Sequence, residues 1–131
     1  MKIRVYYEDT DAAGVVYHSN YLNYMERART EYLREHGVSV AELAASGVVF
    51  PVVRVEMQFK APAHHDDLLR VTVAAVRSGG SSMTLKQQVL RDSNNQLLVE
   101  ALITIACATP ELKPRRIPPE VRRLMETEVA S

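Results

Sequence analysis

Residues 7–20 read YEDTDAAGVVYHSN and gather three acids (Glu8, Asp9, Asp11), one glycine (Gly14), one imidazole (His18) and a Ser-Asn pair (Ser19, Asn20). A carboxylate held beside an activated carbonyl can attack it, or can take a proton from water as the water attacks. The best amphipathic stretch of the chain follows immediately. The first turn of a helix leaves backbone N–H groups unpaired, and the helix dipole adds partial positive charge there. Such a place holds an anion or a developing oxyanion. Asp11 and the N–H groups near His18 are therefore the candidate active site, with Glu8 and Asp9 offering the same functional group close by.

The elements that position these residues can be read in order. Ile3, Val5 and Tyr7 alternate with Arg4 and Tyr6, which predicts a short strand. Ser19 or Asn20 then caps a helix over residues 21–36. Asn23, Arg27, Thr30 and Arg34 make its polar face. Tyr21, Met25, Ala28 and Tyr32 make its apolar face, with Leu22 and Leu33 beside them. Gly37 ends it. Ser39 and Glu42, spaced as a capping box, open a short helix over 40–46 closed by Gly47. Beyond that point the period is two. Strands are predicted at 53–60, 69–77, 83–91 and 97–109, separated by the Ala61-Pro62-Ala63 break and by turns at 64–67, 78–81 and 92–95. The last strand is apolar on both faces in its middle, which predicts a central position covered on both sides. Pro110, Pro114, Pro118 and Pro119 interrupt the tail before a short helix over 120–128. One long helix with one curved antiparallel sheet folded around it is an α+β domain. Residues 1–131 form one domain, with 110–131 as a Pro-rich segment and short C-terminal helix. Open sheet edges invite pairing with a second copy, so a homodimer is expected.

Composition narrows the function classes. Sixteen Lys and Arg balance sixteen Asp and Glu, and no basic stripe suggests a nucleic-acid partner. The lone Cys107 allows neither an internal disulfide nor a Cys-based metal cluster. Together with the absence of a leader-like N-terminus it points to a reducing, cytoplasmic setting. No apolar run approaches the roughly 20 residues that span a bilayer.

The sequence of residues 7–21, YEDTDAAGVVYHSNY, resembles the signature of hot-dog-fold acyl-CoA thioesterases of the 4-hydroxybenzoyl-CoA thioesterase type. It is most similar to the branch of Tol-Pal-associated acyl-CoA thioesterases. The likeness continues through Tyr24-Met25-Glu26-Arg27-Ala28-Arg29 and Phe59-Lys60-Ala61-Pro62-Ala63 to Asp66-Asp67-Leu68. It implies a hot-dog fold: a curved antiparallel sheet wrapped around one long central helix. It implies hydrolysis of acyl-CoA to acid and CoA without a metal or other cofactor, CoA being part of the substrate. It implies that the catalytic aspartate falls on Asp11, as nucleophile or as general base, and that the His18 N–H polarises the thioester carbonyl. The histidine branch also assigns the His18 side chain a catalytic part. Dimers or tetramers with the active site between two subunits follow from the same likeness.

The remaining candidates carry plainer alternatives. Gly14 supplies a tight or left-handed turn between acid and helix. Tyr17 and Tyr21 line an acyl pocket or are core. Asp9 would raise the pKa of Asp11 if the two carboxylates approached. Glu26 and Arg29 read as an ion pair. His64-His65-Asp66-Asp67 has metal-ligand residue types, but adjacent residues on a turn converge poorly on one ion, so it reads as a solvated turn. Cys107 reads as an inert core residue. Lys60, Arg77, Ser81 and Ser82 are candidates for contacts to the CoA phosphates or pantetheine arm. Two rival functions remain: a hot-dog enoyl-thioester hydratase or dehydratase, for which Met25, Ala28 and Tyr32 are poor acid/base residues, and a non-catalytic acyl-thioester-binding protein. An acyl carrier protein stands as a further candidate partner.

Overall fold

The computed structural model describes residues 1–130, with side-chain environments to residue 126. The elements are β1 (Lys2–Arg4), a 3-10 turn (Tyr7–Asp9), α1 (Asn20–Glu35), α2 (Val40–Ala45), β2 (Val52–Phe59), β3 (Leu68–Val71), β4 (Ala74–Ser78), β5 (Ser82–Arg91), β6 (Gln96–Ala106) and α3 (Pro119–Ala130). All pairings are antiparallel, and the strand order is β1-β3-β5-β6-β2, with β4 also on β5. This is the expected hot-dog arrangement: one sheet packed on one long helix.

The predicted strand over 69–77 is a single kinked strand. Leu69 faces Arg91, Val71 faces Val89 and Ala74 faces Lys86, so β3 and the start of β4 hold one register on β5, which slips between Ala75 and Arg77. At the kink, side chains join the ladder. The Gln88 N–H donates to Thr72 Oγ1 at 3.0 Å, and Gln87 Nε2 donates to the Thr72 carbonyl at 3.4 Å. The predicted first strand is also shorter than its alternation suggests. Val5 still pairs with Asp66 and Asp67 through its backbone. The Tyr6 N–H then donates to Asp9 Oδ2 at 2.9 Å and turns the chain into the 3-10 turn, leaving Tyr7 on the surface.

Helix α1 buries Tyr21, Tyr24, Met25, Ala28 and Leu33. Tyr24 is a core residue that the spacing missed, and Leu22, placed beside the apolar face, is exposed. Residues three and four apart share a helix face, so Tyr24 belongs with Tyr21 and Ala28. Gly37 adopts φ +81°, and the Val38 N–H reaches back to the Leu33 carbonyl at 2.8 Å, a glycine stop with its apolar contact. Ser39 Oγ accepts the Glu42 N–H at 3.1 Å and opens α2 as expected.

Strand β6 is interior, between β5 and β2, and its inward residues Val99, Ala101, Ile103 and Ile105 are buried. Val99, Ile103 and Ile105 each contribute about 1.5–3 kcal/mol relative to exposure, and Ala101 less. The expectation that both faces are covered fails within one chain. Glu100, Leu102 and Thr104 on the outer face are half-buried, Lys86 pairs with Glu100 at 3.0 Å across it, and the Thr84 and Thr104 hydroxyls meet at 3.0 Å. No helix among the described residues is long and apolar enough to cross a membrane.

Candidate active site

Asp11 sits on a miniature hairpin, just after the 3-10 turn that carries Glu8 and Asp9. Thr10 bridges Val16, the Asp11 N–H donates to the Val15 carbonyl at 2.9 Å, and the Gly14 N–H donates to the Asp11 carbonyl at 3.0 Å. Residues 11–14 are thus a β-turn. Gly14 has φ +78° while nothing lies within 4 Å of where its Cβ would stand, so glycine is needed for the backbone angle and not for space. Asp11 Oδ1 accepts the Ala13 N–H at 2.8 Å, which fixes the carboxylate across its own turn. Its Oδ2 accepts no protein hydrogen bond among the described residues.

The hairpin is tied on both sides. The Val16 N–H donates to the Ala63 carbonyl at 2.9 Å, and Val15 bridges His64. Toward the helix, the Asp9 carbonyl accepts the Tyr17 N–H at 2.9 Å and Asn20 Nδ2 at 3.0 Å. The expected helix cap is therefore corrected. Ser19 makes no side-chain cap bond, and Asn20 spends its amide stapling the acid loop to the helix entrance. Asp9 is a scaffold acid: its carboxylate is committed to the Tyr6 N–H. The buried Tyr24 hydroxyl faces Asp9 without reaching a hydrogen bond, and burial, then the Asp9 charge, pushes its pKa up.

Asp11 and His18 line one groove of about 380 Å³ together with Val15, Val16, Tyr21, Phe59, Lys60, Ala61 and Pro62. The His18 N–H donates to no protein acceptor among the described residues. Tyr21 is both core and groove wall: it is 3% exposed, its Oη accepts the Ala63 N–H at 3.2 Å, and burial raises its pKa. The Phe59 ring lies 5.9 Å from that of Tyr21. Tyr17 is outside this lining, its ring tilted against that of His18 at 4.4 Å between centroids. Ser81 and Ser82, with Arg77, stand at the opposite end of the sheet: Ser82 begins β5, whose other end, Arg91, reaches the Pro62 carbonyl in the groove wall. One chain thus gathers Asp11, His18, Tyr21 and Lys60, and leaves Ser81 and Ser82 apart from them.

Sequence reasoning reads the segment that carries this wall as a strand break and a solvated turn, without its support of the site. Lys60 and Ala61 both donate their N–H groups to the Leu98 carbonyl, a bulge that ends β2. Asp67 Oδ2 accepts the His64 N–H at 2.9 Å and Arg91 Nε at 3.0 Å. The visible signal was Pro62 inside an otherwise strand-like run, which demands some support other than a ladder. His64 and His65 diverge, the His65 ring meeting the edge of Tyr7 at 6.0 Å. The expected Glu26–Arg29 ion pair is not formed. Arg29 reaches inward to Gln87 Oε1 at 2.9 Å, and Glu26 accepts the Thr30 hydroxyl. Cys107 is buried, which raises its thiol pKa against the opposing charge of Arg115.

Burial pushes the Asp67 carboxyl up, but the His64 N–H and the Arg91 hydrogen bond and charge outweigh it and hold its pKa below the ordinary 3.8. A depressed folded-state pKa gives stability that is present above the unfolded value and lost as pH falls through the folded one. The stability gap between wild type and Asp67→Asn should therefore be full above about pH 5 and shrink below about pH 4. Denaturant unfolding at a series of pH values checks this, and a gap that widened on acidification would contradict it.

The thioesterase-like superfamily matches residues 5–124. An acyl-CoA thioester hydrolase of Escherichia coli O6:H1, YbgC, is 42% identical over 120 residues, covering 91% of this chain and 89% of its own length. The acyl-CoA thioesterase YbgC of Haemophilus influenzae is 38% identical over 122 residues, covering 92% and 88%. Among solved structures, the 1,4-dihydroxy-2-naphthoyl-CoA thioesterase Slr0204 from Synechocystis superposes with a TM-score of 0.88 at 27% identity, covering 95% of this chain and 93% of that one.

Proposed function

The chain belongs to the thioesterase-like superfamily, and from that membership we propose that it hydrolyses acyl-CoA thioesters in the groove shared by Asp11 and His18. It is an acyl-CoA thioester hydrolase. The observation that carries the siting is the Asp11 carboxylate, fixed by the Ala13 N–H and opening on the same groove as His18, whose own N–H is unspent.

Two routes balance. In one, Asp11 adds to the thioester carbon, the CoA thiolate leaves, and water hydrolyses the resulting anhydride, regenerating the Asp11 carboxylate and supplying the proton that the thiolate takes. In the other, Asp11 takes the proton of an adding water, the tetrahedral oxyanion forms, and its collapse expels the thiolate, which recovers that proton. In both, the His18 N–H donates to the oxygen that becomes negative. The Tyr17 ring packs against the His18 ring in a tilted contact. Neither route requires a metal or cofactor. A hydratase would need an acid/base group on the inner face of α1, where Met25 and Ala28 are buried and apolar.

The groove is completed by a second copy. Strand β2 is a sheet edge, and Val52, Val53, Val55 and Phe59 along it are exposed. Such an edge pairs readily with its own copy. Antiparallel β2–β2 pairing about a twofold axis sets the Val52 end of one copy beside the Phe59 end of the other. Ser81, Ser82 and Arg77 belong to the Val52 end, since Met83 and Val52 both face Ile105. They would meet CoA from the second subunit, with Lys60 from the first. The setting is cytoplasmic, and acyl-carrier-protein thioesters present the same reacting group. The test is a hydrolysis panel of short, long, branched and aromatic acyl-CoAs with thiol release as readout. Turnover of at least one class is expected; CoA binding without any turnover would sink the reading.

A further inference from the structure

We infer that Arg91 and Asp67 are positioning residues for this hydrolysis, clamping residues 61–64, the strip of chain from which the Asp11 hairpin hangs. The inference rests on the reading of Asp11 as the reacting acid. Residues 61–63 have no strand partner of their own. The Lys60 and Ala61 N–H groups are both spent on Leu98, and Pro62 has none to give. Side chains supply what a ladder would. Arg91 places Nε on Asp67 Oδ2 at 3.0 Å, one terminal nitrogen on the Pro62 carbonyl at 2.9 Å and the other on Gln96 Oε1 at 2.6 Å. The same Asp67 oxygen accepts the His64 N–H. The Arg91 and Asp67 side chains are only 15% and 22% exposed, so this is no solvated surface pair.

Both neighbours of the active site lean on the clamped strip. The Ala63 carbonyl takes the Val16 N–H, the Ala63 N–H goes to Tyr21 Oη, and His64 bridges Val15. A displacement of Pro62 or His64 thus reaches the 10–16 hairpin through Val15 and Val16, and with it the Asp11 carboxylate. The planar fork of arginine meets three acceptors in fixed directions, which a lysine cannot.

The experiment is steady-state acyl-CoA hydrolysis by Arg91→Met, Arg91→Lys and Asp67→Asn, with amide hydrogen exchange on the same samples. Misplacing a reacting group by about 1 Å costs on the order of 100-fold. Arg91→Met should therefore lose about that much in kcat with KM held within about threefold, and Arg91→Lys should recover little. Exchange at Val16 should accelerate while the amides around Ile103 in β6 stay protected. Wild-type kcat per folded molecule in Arg91→Met, or Val16 and Ile103 exchanging faster in step, would overturn the inference and leave a plain stability contact. Asp67→Asn, of the same shape, gives the same readings if Arg91→Met does not fold. A wild type that hydrolyses no acyl-CoA would instead remove the proposed function, and Val16 exchange would still decide whether the clamp holds the hairpin.

Discussion

Asp11→Asn should leave a folded protein whose kcat on acyl-CoA is lower by about 10²–10⁴-fold, the range that a positioned base contributes. The substitution is close to isosteric, and an amide oxygen can still accept the Ala13 N–H that spans the turn. The hairpin bonds of residues 10–16 are backbone bonds and survive it. What disappears is the charge, and with it both the nucleophile and the proton acceptor. KM should change little, because the loss falls on the reacting atoms and not on the rest of the substrate. Full activity in this variant would remove Asp11 from the chemistry. Single turnover of the wild type in ¹⁸O-water puts label into Asp11 only by the nucleophilic route, with water adding at the Asp11 carbon of the anhydride; label in the released acid alone fits either route.

The second large effect lies in the core. Gln87 is wholly buried on β5 and faces α1. Its Oε1 accepts Arg29 at 2.9 Å and its Nε2 donates to the Met25 carbonyl at 3.0 Å. Burial already lowers the Arg29 pKa, with Glu26 opposing. Gln87→Leu would strand that guanidinium without this acceptor. Hydrogen bonds to charged groups contribute about 1.5–3 kcal/mol, and an unsatisfied buried charge costs more, so a loss of about 2–4 kcal/mol is expected. That is a large share of a typical stability of about 5–15 kcal/mol. The double variant Arg29→Met with Gln87→Leu should recover much of it, because removing both partners deletes the stranded charge. Guanidinium unfolding of the four proteins in the cycle measures this. Additive losses would show that the pair is uncoupled.

These residues mark how far the sequence can be read. The order of elements, the acid turn at Gly14 and the glycine stop at Gly37 follow from local rules: period, left-handed backbone angles and capping. Each is decided by neighbours within a few positions, so one sequence reports it. The likeness of residues 7–21 to a thioesterase signature belongs to the same class, since a motif is local by definition. What local spacing misses is nonlocal. Spacing pairs Arg29 with Glu26, three positions away, but Arg29 meets Gln87 across the core. Spacing makes Ser19 or Asn20 the cap, but Ser19 makes no cap bond and Asn20 holds the carbonyl of Asp9. Leu22 is exposed and Tyr24, which the spacing left unassigned, is buried, because the sheet decides which side of α1 is covered.

Local pattern therefore encodes one long amphipathic helix, an antiparallel sheet behind it and a carboxylate presented just ahead of the helix. Periodicity and turn chemistry are enough for that. Which groups share the groove with Asp11 depends on long-range packing. Lys60 and Phe59 arrive from the far end of β2, and Ala63 fixes Val16 from 47 positions away in sequence. Such contacts are set by the register of β2 on β6 and by the bulge at Lys60, where a shift of one residue turns every side chain to the other face. No local pattern encodes that register, and the acid of residues 7–20 acquires a site only once it is fixed.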